Sequence, residues 1–241
     1  MRNKQSGFTL VEIAIVLVII GLLLGGVLKG QELINSAKIK NVANDLNGIA
    51  AGVYAYQDRY KTFPGDDKNA KSRWTTSQNG NGDGVVGGDP SAVPAVLASS
   101  VNYNADPGTT VGATTPELLL FWQHMRLAGF VAGATTGADQ PQNALGGIVG
   151  VQTGTGTVTT GASADMGGLV VCTSNLPGKI AEAIDRQFDD GIALTGTMRG
   201  YDQAKQPVTR GGVNVTRTTP AVTMVYNAAD DTDLYTICKS L

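Results

Sequence analysis

The stretch FTLVEIAIVLVIIGLLLGGVL, residues 8–28, decides the fold of this 241-residue chain. It holds 21 residues, of which only Glu12 is charged. A helix of this length spans roughly 30 Å, the thickness of the hydrocarbon core of a bilayer. The preceding segment, MRNKQSG, contains Arg2 and Lys4. Because positive flanks stay in the cytoplasm, the sequence predicts a membrane helix with the rest of the chain outside.

Two ordinary kinds of membrane segment do not account for this stretch. A secretory signal has a shorter apolar run and then a cleavage site of small residues, whereas residues 29–32 here read KGQE. A plain signal anchor fits the length but gives no reason for Glu12. The third interpretation therefore starts from that glutamate.

A carboxylate near one end of an apolar helix costs on the order of a few kcal/mol in lipid unless it has a partner. No Lys, Arg or His lies within one turn of Glu12 on the apolar stretch. Cleavage after Gly7 would create a new amine on Phe8, one turn before Glu12. That amine is poorly placed to pair within its own helix, but the amine of a staggered neighbouring copy could reach the carboxylate. Such a charge sets the register of a polymer.

The sequence GFTLVEIAIVLVIIGLLLGG, residues 7–26, resembles the class III leader junction of type IV prepilins and type II secretion pseudopilins. The resemblance implies cleavage after Gly7 by a membrane prepilin peptidase, methylation of Phe8 by the same enzyme, and a role for Glu12 in assembly. It also implies an inner-membrane assembly platform and other pilin subunits as partners, with lipid around the helix before assembly. Many pilins carry a proline late in this segment, where this chain has three glycines, Gly21, Gly25 and Gly26.

The helix is expected to continue beyond the membrane. One apolar stripe recurs at spacings of three and four residues, which is typical of an amphipathic helix. Its members are Ile39, Val42, Leu46, Ile49, Val53, Tyr56 and Tyr60. Phe63-Pro64-Gly65 ends the pattern. The predicted organisation is a leader (1–7), a transmembrane assembly helix (8–28), an amphipathic half (29–62) and an extracytoplasmic head (63–241).

The head is predicted to be α+β and pilin-like, with the long helix packed on an antiparallel sheet beside short helices and Gly-rich loops. One short helix follows the cap Thr115-Pro116-Glu117 and closes at Gly129; another runs from near Pro177 to Asp189. The predicted strands are 147–152, 168–173, 192–198, 221–226 and 234–238. The predicted loops are 132–137 and 153–164.

Cys172 and Cys238 are the two cysteines of the chain. The leader places them outside the cytoplasm, where disulfides persist. The resemblance supports a bridge, since many pilins tie their carboxyl-terminal region with a cysteine pair. Two free buried thiols are the alternative.

Residues 79–86, NGNGDGVV, follow the first eight positions of a calcium loop. Its candidate ligands are Asn79, Asn81, Asp83 and Val85. The acid expected at the twelfth position is missing, and Asp89 or Glu117 could supply it. The alternative is a glycine-rich turn that binds nothing. Residues 64–67, PGDD, could add a ligand, although nothing in the sequence brings them near.

Composition argues against an enzyme. Charged residues make up 16% of the chain, and its one histidine, His124, is expected to be a partly buried helix residue. Asp185, Asp189 and Asp190 are expected to form the solvated face and end of a helix. A net charge of −2 argues against nucleic acid as a partner. No cofactor is required, and a structural calcium ion is the one candidate.

The sequence therefore predicts a structural filament subunit, first inserted in the inner membrane and then part of a cell-surface or periplasmic filament. A surface pilus would serve adhesion or motility, and a pseudopilus would drive protein secretion. A third alternative is a minor tip subunit that binds DNA or surfaces through a basic loop-like stretch. Its cations are Arg199, Lys205, Arg210 and Arg217.

Overall fold

The computed structural model describes residues 9–86, 100–102, 117–137, 139–153, 166, 168–202, 208–209, 212–216, 225–229 and 232–241. The helices within these ranges are α1 (Leu10–Tyr60), α2 (Ala70–Arg73), α3 (Glu117–Leu127) and α4 (Gly178–Phe188). The strands are β1 (Ser100–Asn102), β2 (Val149–Thr153), β3 (Leu169–Pro177), β4 (Met198–Asp202), β5 (Val208–Thr209), β6 (Gly212–Thr216) and β7 (Leu234–Ser240).

Helix α1 is a continuous helix of 51 residues whose two halves have different surroundings. Its first half is long and apolar enough to cross a membrane, and none of the most apolar window is buried inside the chain. Its second half packs on the head along the predicted stripe, which is confirmed. The buried residues are Val42, Ala43, Leu46, Ile49, Gly52, Val53 and Tyr56. The helix ends where Lys61 adopts a left-handed conformation, with φ of 57°.

The head is built on a four-stranded antiparallel sheet in the order β2-β3-β7-β4. One core cluster joins this sheet to the second half of α1, to α3 and to α4, through residues such as Leu46, Trp122, Ile184 and Ile237. The architecture is therefore α+β and pilin-like, as predicted. A second antiparallel sheet, β1-β6-β5, was not predicted.

The disulfide between Cys172 and Cys238 joins the two middle strands of the larger sheet. The two cysteines face each other directly in the β3–β7 ladder. Both are buried, with 0% and 1% exposure. The alternative of two free thiols is thereby excluded, since the chain has no other cysteines and none is free.

One predicted strand is wrong. Residues 192–197 form turns, and strand β4 begins at Met198. The turn is fixed by side chains that accept hydrogen bonds from it: Asp190 from the backbone of Ile192 and from Thr195 Oγ1, and Asp189 from the backbone of Met198. Local hydrogen bonds of this kind compete with a strand ladder.

The other predicted elements have mixed outcomes. The strands at 147–152, 168–173 and 234–238 are confirmed as β2, β3 and β7, with boundaries that differ by a few residues. Of the predicted strand 221–226, residues 221–224 lie outside the described ranges and residues 225–226 are irregular. The cap residues Thr115 and Pro116 lie outside the described ranges. The predicted loop 132–137 contains no helix or strand, and residues 154–164 of the other loop are not described.

Candidate functional site

Glu12 lies in the first turn of α1 and forms a capping box with Thr9. The backbone N–H and the hydroxyl of Thr9 both donate to Glu12 Oε2, each at 2.8 Å. In return the backbone N–H of Glu12 donates to Thr9 Oγ1 at 3.3 Å. The carboxylate thus has hydrogen-bond donors from its own helix, but none of the ion pairs in the described ranges involves it. Gly7 and Phe8 lie outside those ranges.

The apolar surface around and after Glu12 is not covered by any other part of the chain that the structure describes. Large hydrophobic side chains from Leu10 to Leu28 are exposed, Leu10 by 87% and Leu22 by 73%. The apolar run stops at Lys29, whose Nζ lies 2.6 Å from Glu32 Oε2 on the exposed surface. A surface of this size needs lipid or other copies of the helix against it.

A second candidate site forms where residues 64–67 meet the glycine-rich loop of residues 79–86. Asp66 is 3% exposed, and its carboxylate accepts three backbone N–H groups of the loop. Oδ1 accepts from Gly82 at 2.6 Å and from Asp83 at 3.0 Å, and Oδ2 accepts from Gly84 at 2.9 Å. The segment that could not be placed from the sequence is therefore the one on which the loop folds.

Asp66, Asp83 and Glu117 each place one carboxylate oxygen within 4.8 Å of the other two. Glu117 is buried at the start of α3, and its Oε1 accepts the backbone N–H of Asn81 at 2.7 Å. Burial raises the pKa of Asp66, although the N–H donors from the loop lower it in part. Three clustered carboxylates repel one another, and an oxygen-preferring cation would relieve that repulsion.

The predicted ligands have different places in this arrangement. Asp83 and Glu117 belong to the carboxylate cluster. Asn81 donates through Nδ2 to Asp83 Oδ2 at 2.9 Å, next to the cluster. Asn79 turns elsewhere, since its Oδ1 accepts the backbone N–H of Lys71 at 2.8 Å. Val85 donates its backbone N–H to Asp83 Oδ1, and Asp89 lies outside the described ranges.

Sequence reasoning did not assign Asp66 to the site. The only signal was a pair of aspartates after the Pro-Gly turn, and its partners lie 16 to 18 residues further along the chain. The approach also depends on Gly80, because a Cβ there would collide with the backbone of Gly65 and Asp66. A glycine selected for close backbone approach is indistinguishable by sequence from one that forms a turn.

Asp67 anchors the same loop to helix α1. Its Oδ2 accepts the hydroxyl of Tyr56, on α1, at 2.7 Å and forms an ion pair with Arg73. Its backbone carbonyl accepts the N–H of Gly80 at 3.0 Å. The Arg73 guanidinium lies over the Tyr60 ring, 4.5 Å from its centroid.

His124, on α3, hydrogen-bonds to both segments of this site: to Gly65, in residues 64–67, and to Gln78, which immediately precedes the glycine-rich loop. It lies in a helix, as predicted, but is fully buried where the sequence predicted partial burial. Nδ1 accepts the backbone N–H of Gly65 at 2.9 Å, so the proton is on Nε2, which donates to the carbonyl of Gln78 at 3.0 Å. Burial is the largest cause that lowers the pKa of His124, to about 4.

The prediction of a solvated face and end of a helix holds for Asp189 and Asp190, which follow the last residue of α4, but is wrong for Asp185. Asp185 is fully buried, and its Oδ2 accepts the hydroxyl of Tyr226 at 2.6 Å. Its Oδ1 accepts the backbone N–H of Gly191, and burial raises its pKa. The prediction failed for Asp185 because Tyr226, distant in sequence, covers it. Asp189 and Asp190 serve to shape the turn before β4.

The basic residues proposed for binding DNA or surfaces are mostly outside the described ranges. Lys205, Arg210 and Arg217 fall there. Arg199 lies on β4 and is half-buried.

Comparison with known proteins concerns the amino end. Residues 2–28 match the sequence profile of the prokaryotic N-terminal methylation motif, which is the class III prepilin leader of type IV pilins and pseudopilins. The match covers the leader and the apolar half of α1. No curated protein matches the chain.

Proposed function

We propose that this chain is a structural subunit of a type IV pilus-like filament and not an enzyme. The methylation motif supports a pilin or pseudopilin precursor. The observation that carries the proposal is that the motif includes an apolar half-helix that no other described residue covers and that contains one carboxylate, Glu12. Prepilin peptidase cleaves after Gly7 and methylates Phe8, and the helix then polymerises.

In this proposal Glu12 exchanges partners during assembly. Among the described residues of the single chain, the hydrogen-bond donors to its carboxylate are the neutral N–H and hydroxyl of Thr9. In the filament it pairs with the amine of Phe8 from a neighbouring subunit, which is an ionic hydrogen bond in a medium of low dielectric constant. Such bonds are stronger than neutral ones, so the exchange favours subunits in the correct register.

The domain organisation follows from the same proposal. Residues 1–7 are the leader, 8–28 the membrane and assembly helix, 29–62 the amphipathic half, and 63–241 the head. Before assembly the chain is a single-pass inner-membrane protein whose head is periplasmic. The assembly platform then transfers it to the filament.

Replacing Glu12 by Ala is expected to leave membrane insertion and processing intact but to reduce the filament yield at least about tenfold, the effect of losing roughly 1.4 kcal/mol per subunit contact. The matched control is Glu32→Ala. It removes the same side chain from the same helix, beyond the apolar run, where the carboxylate pairs only with exposed Lys29. Filament yield is measured in the sheared extracellular fraction and periplasm.

Normal filament yield from Glu12→Ala would refute the role of Glu12. An equal loss from Glu32→Ala would show that any charge change on the helix harms assembly.

Mass spectrometry of the amino-terminal peptide separates the two uses of such a subunit. N-methyl Phe8 in abundant sheared filaments identifies a surface pilin; the same peptide confined to membranes identifies a pseudopilin. A leader still attached everywhere overturns the proposal.

The carboxylate cluster supports a structural calcium ion as a second part of the proposal. Asp66, Asp83 and Glu117 supply the carboxylates, a donor set that fits Ca²⁺, which takes oxygen ligands. Asn81, bonded to Asp83, is a further oxygen donor in the same loop. The ion would stabilise the head by neutralising charges that folding brings together.

Calcium at a hundredfold excess over its dissociation constant is expected to stabilise the head by about 2.7 kcal/mol, which raises the melting temperature by roughly 5–10 °C relative to chelator. The shift should vanish in the double variant Asp83→Asn/Glu117→Gln. The matched control is Asp189→Asn/Asp190→Asn, which removes two carboxylates from a second group, formed by Asp185, Asp189 and Asp190, whose carboxylate oxygens also lie within 4.8 Å of one another. A wild-type melting temperature that calcium does not change would count against the ion.

A further inference from the structure

Three junctions in the loop of residues 79–84 are chemically vulnerable in a flexible chain. They are Asn79-Gly80, Asn81-Gly82 and Asp83-Gly84. In an Asn-Gly pair the glycine nitrogen loses its proton and attacks the asparagine Cγ. The new C–N bond closes a succinimide ring, and the side-chain amide leaves as ammonia. Water then opens the ring to give aspartate or isoaspartate, and glycine favours the reaction because it has no side chain in the way.

Each of the three glycine nitrogens that could attack is already a hydrogen-bond donor. Gly82 donates to Asp66 Oδ1 at 2.6 Å and Gly84 to Asp66 Oδ2 at 2.9 Å. Gly80 donates instead to the backbone carbonyl of Asp67, at 3.0 Å. A carboxylate acceptor opposes loss of the N–H proton more strongly than a neutral carbonyl, because the resulting nitrogen anion would face a negative charge.

The side chains of the two asparagines are also fixed by hydrogen bonds. Asn81 accepts the backbone N–H of Asp83 at 2.8 Å through Oδ1 and donates to the Asp83 carboxylate at 2.9 Å through Nδ2. Asn79 accepts the N–H of Lys71. Both asparagines are exposed, so water can reach them and burial does not protect them.

We propose that Asp66 protects Asn81 from deamidation by accepting a hydrogen bond from the backbone N–H of Gly82, and that Asn81 becomes a site of deamidation when that hydrogen bond is lost. Asn79 is protected separately, through the carbonyl of Asp67. The protection belongs to the folded loop itself and does not rest on the filament role or on a bound cation.

The test follows deamidation and isoaspartate formation at both asparagines by peptide mapping of the detergent-solubilised full chain at mildly alkaline pH. A chelator is present throughout, so the rates are independent of any cation. The samples are the native chain, the chain unfolded in urea, Asp66→Ala and Asp66→Asn. Asn79 is the internal control, since it has the same Asn-Gly chemistry but does not depend on the Asp66 side chain.

Both junctions in the native chain are expected to react at least about tenfold more slowly than in the unfolded chain, because reaction requires local opening. Asp66→Ala should accelerate Asn81 about tenfold while Asn79 stays slow. If deamidation of Asn79 and Asn81 accelerates equally in Asp66→Ala, the whole loop has opened in that variant, and the comparison is made in Asp66→Asn instead. That variant keeps an acceptor oxygen but loses the charge, so Asn81 should react faster than in the native chain, whereas the rate at Asn79 should stay at its native value. An Asn81 rate in Asp66→Asn that equals the native rate, or a native Asn81 that reacts as fast as in urea, would overturn the proposal.

Discussion

Removal of the Cys172–Cys238 disulfide is expected to lower the free energy of unfolding of the head by about 4 kcal/mol. The bond links residues 66 apart in sequence, so it excludes many extended conformations from the unfolded chain. In the folded state it joins β3 to β7, whose ladder places the two cysteines directly opposite each other. A loss of this size is a large fraction of the stability of an ordinary domain.

Urea titrations of the detergent-solubilised full chain measure this loss. Fluorescence of Trp122, buried in the core, and of Trp74 reports on the head and not on the membrane helix. Because both cysteines are buried, the bond is reduced in urea before refolding.

The control is the double variant Cys172→Ala/Cys238→Ala. Reductant should shift the unfolding midpoint of the wild type and leave that of the variant unchanged. Equal midpoints for the oxidised and reduced wild type would contradict the predicted stabilisation.

The elements predicted well from the sequence are those whose signal is local. Helix α1 has a stripe that repeats every three or four residues, and burial of Val42, Leu46, Ile49, Val53 and Tyr56 follows that stripe. A periodic pattern over several turns leaves one face to pack, and no distant contact is needed to identify it.

The elements predicted poorly are those decided by distant contacts or by single hydrogen bonds. The apolar composition of residues 192–198 favours a strand, but Asp189 and Asp190 hold a turn there. Asp66 and Asp185 have the composition of surface residues. They are buried because the backbone of residues 82–84 and the hydroxyl of Tyr226 donate to them. In the same way, Asp83 and Glu117 were identified from a loop pattern, whereas their neighbour Asp66 required the fold.

Acidification from neutral pH to about pH 4 is expected to lower the free energy of unfolding by about 3 kcal/mol through His124 alone. Burial lowers the pKa of His124 from 6.5 to about 4 in the folded chain. Between these two values the unfolded chain binds a proton that the folded chain does not. Stability therefore falls as pH falls through this window, and above it His124 has no effect on the pH dependence.

The structural reason is that both ring nitrogens of His124 already have a hydrogen-bond partner, and a proton on Nδ1 would face the N–H of Gly65. Its Nδ1 accepts the N–H of Gly65, so protonation breaks that bond. The new cation would lie among the rings of Tyr56 and Trp74 and near the Arg73 guanidinium, which itself lowers the pKa. Since Gly65 immediately precedes Asp66, the carboxylate cluster is expected to loosen in the same pH range.

The matched variant is His124→Gln, whose amide can accept from Gly65 and donate to Gln78 but does not titrate in this range. Unfolding midpoints of the two proteins are compared from neutral pH downward. The raised pKa values of Asp66 and Asp185 act in the opposite direction, because the folded chain takes up their protons first. These effects are present in both proteins and cancel in the difference. The unfolding midpoint of the wild type should fall relative to that of His124→Gln as the pH falls toward 4. Parallel pH profiles would show that protonation of His124 does not limit the stability of the head.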